Sequence, residues 1–207
     1  MNDQPDGSAR RRRPGRPVTV RKDDVAAAGL QAFLRDGFDQ VTMSQVALEA
    51  GIGRKTLFAC FPTKADIVWN RFSRQLTDLK AALDRAPGRV APTRAVVDAV
   101  LTGLHMAPEE LPILRAEVVL IRGNPSLDAY AHVAGQPWKA AITEFLARRS
   151  GQRPTDVLPQ VVGQGFWHAM LIGLDRWIQS KDREPQKHVR AAMTEYAEAV
   201  RGAFRPK

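Results

Sequence analysis

Three adjacent side chains, Arg54, Lys55 and Thr56, define the plainest chemistry in this chain. They lie in the run Gly51-Ile52-Gly53-Arg54-Lys55-Thr56-Leu57-Phe58-Ala59-Cys60-Phe61-Pro62-Thr63-Lys64. A guanidinium or ammonium donates to the O6 and N7 acceptors of guanine, and a good bidentate pair gives about 1–3 kcal/mol of discrimination. A threonine offers a hydroxyl to a phosphate or a methyl to a thymine. This is the chemistry of reading a partner, not of making bonds. The residues expected of an enzyme are missing. His105, His132, His168 and His188 are far apart in sequence and never take His-x-x-x-His spacing. Cys60 is the single cysteine. No nucleophile elbow, phosphate loop or glycine-rich cofactor turn is present. Neither catalysis, a metal nor a cofactor is expected.

The charge balance points the same way. The chain has 207 residues, a formal net charge of +9 and a pI near 10.3. A basic balance favours an anionic partner such as nucleic acid. From Arg10 to Lys22 there are seven cations (Arg10, Arg11, Arg12, Arg13, Arg16, Arg21, Lys22) and no acid. A run of this kind is either a solvated tail or an arm that binds nucleic acid. No apolar stretch follows the arginines, so a secretory leader is not expected. No segment approaches the roughly 18 continuous apolar residues of a membrane helix. A lone cysteine leaves no internal disulfide, and the simplest compartment is the reducing cytosol, close to the nucleoid.

The elements that must position Arg54 to Thr56 are all helical. Residues 1–18 read as a flexible basic arm. A first helix is expected from about Thr19 to Asp36, with Val25, Ala28, Gly29, Ala32 and Phe33 inward, and Gly37 at its C-terminal end. Thr42-Met43-Ser44-Gln45 has the form of a capping box. It opens a short helix with Val46, Ala47 and Ala50 inward, and Gly51 ends it. A second short helix runs to about Phe61, and Pro62 halts it. Thr63 and Asp66 then cap a long helix whose stripe is Val68, Phe72, Leu76, Leu79 and Leu83. Further helices are expected from Pro92, around Leu111 to Ile121, over 126–150 with a break near Gly135-Gln136-Pro137, and over about 155–180 and 186–204. The fold class is all-α, with about nine helices and no sheet. The division is 1–18 arm, 19–66 reading head and 67–207 larger helical domain.

A helix, a glycine-containing tight turn and a second helix form a helix-turn-helix. In this arrangement Arg54, Lys55 and Thr56 occupy the exposed start of the second helix. Leu57, Phe58 and Phe61 are expected inward. Gly53 carries no side chain and lets the helix start approach a phosphate. Thr42 and Lys64 begin the flanking helices and can reach phosphates of neighbouring strands. The bland counterpart is a small three-helix core with surface cations and no partner.

Residues 19–68 resemble the DNA-binding domain of TetR-type transcriptional regulators. The residues carrying the resemblance are Ala26-Ala27-Ala28 through Phe33, Gly37-Phe38, Thr42, Val46-Ala47, Ala50-Gly51-Ile52, Thr56-Leu57-Phe58 and Phe61-Pro62-Thr63-Lys64. The resemblance implies a two-fold dimer on a palindromic operator in double-stranded DNA, usually a repressor released by a small-molecule effector. The chain departs from the family at Phe58 and Cys60, where tyrosines are common, and at Gly53, where serine is frequent. Without a phenolic hydroxyl, Phe58 and Cys60 are expected to pack. Arg13-Pro14-Gly15-Arg16-Pro17 resembles the core of minor-groove hooks, which makes Arg16 the arm's candidate DNA contact.

In the larger domain Gly165, Ala169 and Gly173 recur every four residues and bare one helix face. With Val189, Tyr196 and Val200 of the last helix, that face suits a dimer interface or close packing within the monomer. His105, Met106, Trp138 and Phe166 fall on helices that line the effector pocket in the family the chain resembles. Ala107-Pro108-Glu109-Glu110-Leu111-Pro112, Phe145-Leu146-Ala147-Arg148-Arg149 and Leu158-Pro159-Gln160-Val161-Val162 are similar to an actinobacterial subgroup linked to mycofactocin clusters. That similarity implies a long-chain acyl-CoA effector, with Arg115, Arg122 and Arg148 as available cations. The other reading is an architectural DNA-binding protein without an effector, for which so large a second domain would be excessive.

Overall fold

The computed structural model describes residues 21–104 and 106–204. The arm, with Arg16, and the pocket candidate His105 lie outside the described residues. Among the described residues eleven α-helices follow one another: α1 (Lys22–Asp36), α2 (Met43–Glu49), α3 (Arg54–Cys60), α4 (Lys64–Val68), α5 (Asn70–Arg85), α6 (Pro92–Gly103), α7 (Leu111–Gly123), α8 (Pro125–Ala134), α9 (Gln136–Ser150), α10 (Val157–Gln179) and α11 (Pro185–Ala199). Short 3-10 turns precede α7 and follow α11. No strand occurs among the described residues. None of these helices is long and apolar enough to cross a membrane.

The local signals place the small helices. Thr42 accepts from the Gln45 N–H while the Gln45 side chain accepts from the Thr42 N–H, and Thr63 and Asp66 repeat the device at α4. Gly37 and Gly51 take φ of 90° and 64°, backbone open to glycine and costly for other residues. The α1 face is buried through Val25, Gly29, Ala32 and Phe33. At Gly29 an added Cβ would stand 2.8 Å from Ile67 Cγ2, so this glycine lets α4 press against α1.

The long helix expected from Thr63 to Leu83 is two helices. Trp69, with ψ of 6°, interrupts it between α4 and α5. Its indole is buried and donates to the Leu127 carbonyl at 3.3 Å, a fixed anchor at the break. The α5 stripe also differs by one position: Gln75 is buried, and Leu76 is only half-buried.

The core of the larger helical body is aromatic. The Trp69 ring lies 4.9 Å from Phe72 and 6.2 Å from Trp167, and Trp138 lies 5.9 Å from Trp167. Trp138 Nε1 donates to the Phe72 carbonyl at 2.8 Å, which satisfies a polar group that burial would otherwise penalise. Trp138 and Phe166, expected at a pocket, are buried, 1% and 0% exposed. Both belong to the inward faces of α9 and α10, and Phe166 stacks edge-on against Tyr196 at 5.1 Å.

The bare face of α10 is used inside the chain. A Cβ on Gly165 would lie 2.0 Å from the Tyr196 hydroxyl, and one on Gly173 would lie 2.5 Å from the Val189 Cα. Val189 is fully buried, and Ala169 is buried too. These residues bring α11 onto α10 within the chain. Gly173→Ala therefore sets a methyl against backbone that cannot swing aside. It should destabilise the fold by about 1–3 kcal/mol in urea unfolding, whereas Gly88→Ala, with nothing within 4 Å, should leave the midpoint nearly unchanged.

Candidate nucleic-acid interface

Helices α1 to α4 form a small head around Val46, Ala47, Leu57, Phe61 and Ile67, all buried. Leu57 and Phe61 fix α3, and the other side of this helix is free. Arg54, Lys55 and Thr56 are all exposed. Gly53 begins α3 in an extended conformation, and a Cβ there would meet only Thr56 Oγ1 at 3.9 Å. The glycine is thus not demanded by packing. Thr42 is exposed as well, though its hydroxyl already serves the capping box of α2.

Two expectations about side chains are corrected. Phe58 points outward, 43% exposed, and does not pack with Leu57 and Phe61. On a helix this short, positions 57 and 61 share a face, and 58 is turned about 100° away from 57. Cys60 does pack, half-buried against the core. Lys64 is not a free cation. Its Nζ donates to the carbonyls of Phe38 at 2.6 Å and Val41 at 3.0 Å, and it lies 4.6 Å from the Phe38 ring centroid. It holds the α1–α2 connection, whose carbonyls have no helical partner, instead of reaching outward.

The head is tied to the body by polar contacts on two sides. On one, Asn70 Nδ2 and Arg74 Nη1 donate to Asp23 at 3.0 and 3.1 Å. On the other, the Tyr130 hydroxyl of α8 donates to Asp66 at 2.6 Å, and Asn124 Nδ2 lies 3.4 Å from Asp39. The Asp66 carboxylate that accepts its proton, together with partial burial, pushes the Tyr130 phenol up. None of these pairs follows a local pattern, since their partners are 47 to 85 residues apart. Sequence reasoning could not find them.

Behind the first tie a cavity of about 330 Å³ separates α1 from α5 and α7. Glu117 and Arg71 line it, paired at 2.9 Å. Glu117 is 2% exposed. Burial pushes its carboxyl up from 4.5 to about 7, although Arg71 pulls the other way. Among the described residues no group of three or more His, Cys, Asp or Glu side chains is placed to hold a metal ion.

An all-helical chain with a capped helix-turn-helix head, and three exposed donors at the start of its second helix, is a DNA-binding regulator in class. The comparisons with known proteins give the family. Residues 25–68 match the family described as bacterial regulatory proteins, tetR family, and residues 90–202 match the MftR C-terminal domain. The chain is 30% identical over 169 residues to the mycofactocin biosynthesis transcriptional regulator MftR of Mycobacterium tuberculosis, covering 82% of this chain and 85% of that one. It is also 30% identical over 153 residues to the HTH-type transcriptional repressor LfrR of Mycolicibacterium smegmatis, covering 71% and 73%. Among solved structures, FadR of Thermus thermophilus, a TetR-family repressor in complex with lauroyl-CoA, superposes with a TM-score of 0.58 at 19% identity over 87% of this chain and 95% of that one. GusR of Salmonella enterica gives 0.55 at 16% identity over 88% and 94%. This chain belongs to the TetR family of transcriptional regulators, carries the MftR type of C-terminal domain, and is a DNA-binding regulator and not an enzyme.

The raised Glu117 carboxyl gives the fold a pH dependence. The folded state holds this proton more tightly than the unfolded chain, so stability falls as pH rises from about 4.5 through about 7 and then levels off. The loss is on the order of 3 kcal/mol. Glu117→Gln should flatten this part of the stability–pH curve measured by denaturant unfolding, while the wild type keeps its slope.

Proposed function

We propose that the protein is a ligand-responsive repressor that binds a palindromic operator as a homodimer, with α3 in the major groove. The observation that carries the reading is the exposed Arg54-Lys55-Thr56 face on a helix locked from behind by Leu57 and Phe61. Arg54 and Lys55 are proposed to read base edges, and Thr56, Thr42 and the Gly53 backbone to meet phosphate. Arg16 is proposed to reach the minor groove from a basic arm spanning 1–18. Lys64 acts indirectly, by holding the loop before α2. The working division is a head of 19–66 and a body of 67–207 for ligand binding and dimerisation.

The dimer reading rests on the outer face of α10. Val157, Val161, Gln164, His168, Ile172 and Arg176 are exposed at three- and four-residue steps along it. Beside them a groove of about 430 Å³ runs between α10 and α11, lined by His168, Ile172, Ala192, Tyr196 and Ala199 among others. This outer face, with Gly165 and Ala169 lining the same groove and half-buried Tyr196 and Val200 beside it, is the proposed contact between copies, while Gly173 and Val189 face each other within the chain. For a two-fold pair, simple half-sites lie about 34–36 Å apart.

The effector is proposed to be a hydrophobic metabolite, with a long-chain acyl-CoA as the leading class. Support comes from the MftR-type body and from the lauroyl-CoA held by the structurally similar FadR. The effector can act only through unequal affinity for two arrangements of head and body. The Asp23–Asn70–Arg74 and Asp66–Tyr130 ties are the contacts such a shift would exchange.

Lys55→Ala and Thr56→Ala should each weaken operator binding at least tenfold in a mobility-shift titration, while circular dichroism and dimer mass stay unchanged. Wild-type affinity in both variants would remove α3 from the groove. A native mass spectrum of freshly purified protein should show a dimer, with any releasable extra mass giving the effector class. A strict monomer at micromolar concentration would overturn the palindromic mechanism.

A further inference from the structure

Helix α3 leaves an aromatic side chain in the open. Phe58 is 43% exposed, whereas its neighbours Leu57 and Phe61 are fully buried. Arg54, one turn earlier, lies over the Phe58 ring with its guanidinium carbon 6.0 Å from the centroid. Lys55, Thr56 and Ala59 are exposed on the same short helix, and no acid occurs between Arg54 and Pro62. The open side of α3 is therefore a cationic start followed by an apolar patch made of an aryl ring and a methyl group.

That combination is informative because the two halves want different things. The cations suit phosphate and guanine acceptors. The ring has no donor or acceptor and cannot bond to a phosphate. Along the major-groove edges of the four bases, the apolar feature is the 5-methyl group of thymine, and phenylalanine and alanine are among the side chains that suit it. With α3 in the groove, as proposed, an exposed ring beside Arg54 is within reach of base edges.

We propose that Phe58 is a specificity-determining residue that reads a thymine methyl in each half-site, with Arg54 positioning its ring. The proposal rests on the reading of α3 as the helix that enters the groove. It converts a departure from the family, the loss of a tyrosine hydroxyl at this position, into a difference in which bases are preferred. Burying one methyl-sized group is worth about fourfold in affinity.

The test uses the full-length protein and duplexes selected with it from a random-sequence library. Each thymine of a selected duplex is replaced in turn by uracil, which lacks only the 5-methyl group, and affinity is read by fluorescence anisotropy. The expected result is one position in each half-site where uracil weakens wild-type binding about fourfold. Phe58→Ala should bind the thymine and uracil duplexes equally, and Phe58→Leu should keep part of the preference. Because Phe58 is exposed, both variants should melt with the wild type. The proposal is overturned if no uracil substitution weakens wild-type binding, or if Phe58→Ala keeps the same preference. Lys55→Ala separates the two levels. Lost binding in that variant, with no methyl-sensitive position in the wild type, leaves α3 as the reading helix and removes Phe58. Unchanged binding in Lys55→Ala removes both.

Discussion

The arrangement of head and body depends on the burial of one indole. Trp69 sits in the single-residue break between α4 and α5, with its ring against Phe72 and Trp167 and its N–H on the Leu127 carbonyl. From there the constraint runs toward the DNA side. Ile67, two residues earlier, lies under Gly29 of α1, and α1 also packs against α2, which with the turn at Gly51 sets α3. It runs equally into the body, because Trp167 lies over Gly135 so closely that a Cβ there would be 2.4 Å from the ring. Interiors packed at this density do not deform smoothly.

The polar ties around this cluster differ in strength for physical reasons. Arg74 and Asp23 are each more than a third exposed, and such pairs contribute about 0–1 kcal/mol. Asp66 is better placed: its carboxylate accepts from the Thr63 N–H and hydroxyl and from Tyr130. Arg71 is half-buried and has Glu110 as a second partner at 3.6 Å, whereas Glu117 is buried, so losing Arg71 would leave a buried carboxyl favouring its neutral form. The α1 side thus carries an exposed ion pair and a buried carboxyl, and the α8 side a hydrogen-bonded network.

Much of this was legible in the sequence because it is written locally. Capping boxes at Thr42 and Thr63, glycines at 37 and 51, and the Pro92 helix start are decided within four or five residues, and they appear where the spacing puts them. The division of 126–150 into two helices was equally local. What the sequence hid was tertiary. An apolar stripe from Val68 to Leu83 reads as one helix because the period runs through Trp69; the interruption arises where the Trp69 ring must reach α8. Residue type alone places Phe58 inward, while its angular position on α3 turns it outward. Gly165 and Gly173 announced close packing without saying against which partner, and Tyr196 and Val189 of the same chain supply it.

The cations of the body narrow how a coenzyme-type effector could act. Arg115 donates to the carbonyls of Ile178 in the last turn of α10 and of Ser180 and Asp182 just beyond it, and its guanidinium lies 4.5 Å from the Trp177 ring. Arg148 pairs with Asp84, and Arg122 bridges Asp128 and Asp175. None of the three is idle, so a ligand phosphate recruiting one must displace a bond that already holds two helices. The consequence differs among them. Arg148 is exposed, and its loss would loosen only the far end of α5. Arg115 secures the segment that follows α10. Arg122 joins α7, α8 and α10 at once, and α8 also carries Leu127 and Tyr130, the two residues that grip Trp69 and Asp66. Arg122 alone of the three bonds to α8, the element whose Leu127 and Tyr130 meet Trp69 and Asp66, while Arg148 reaches α5, which carries the Asp23 tie at its other end.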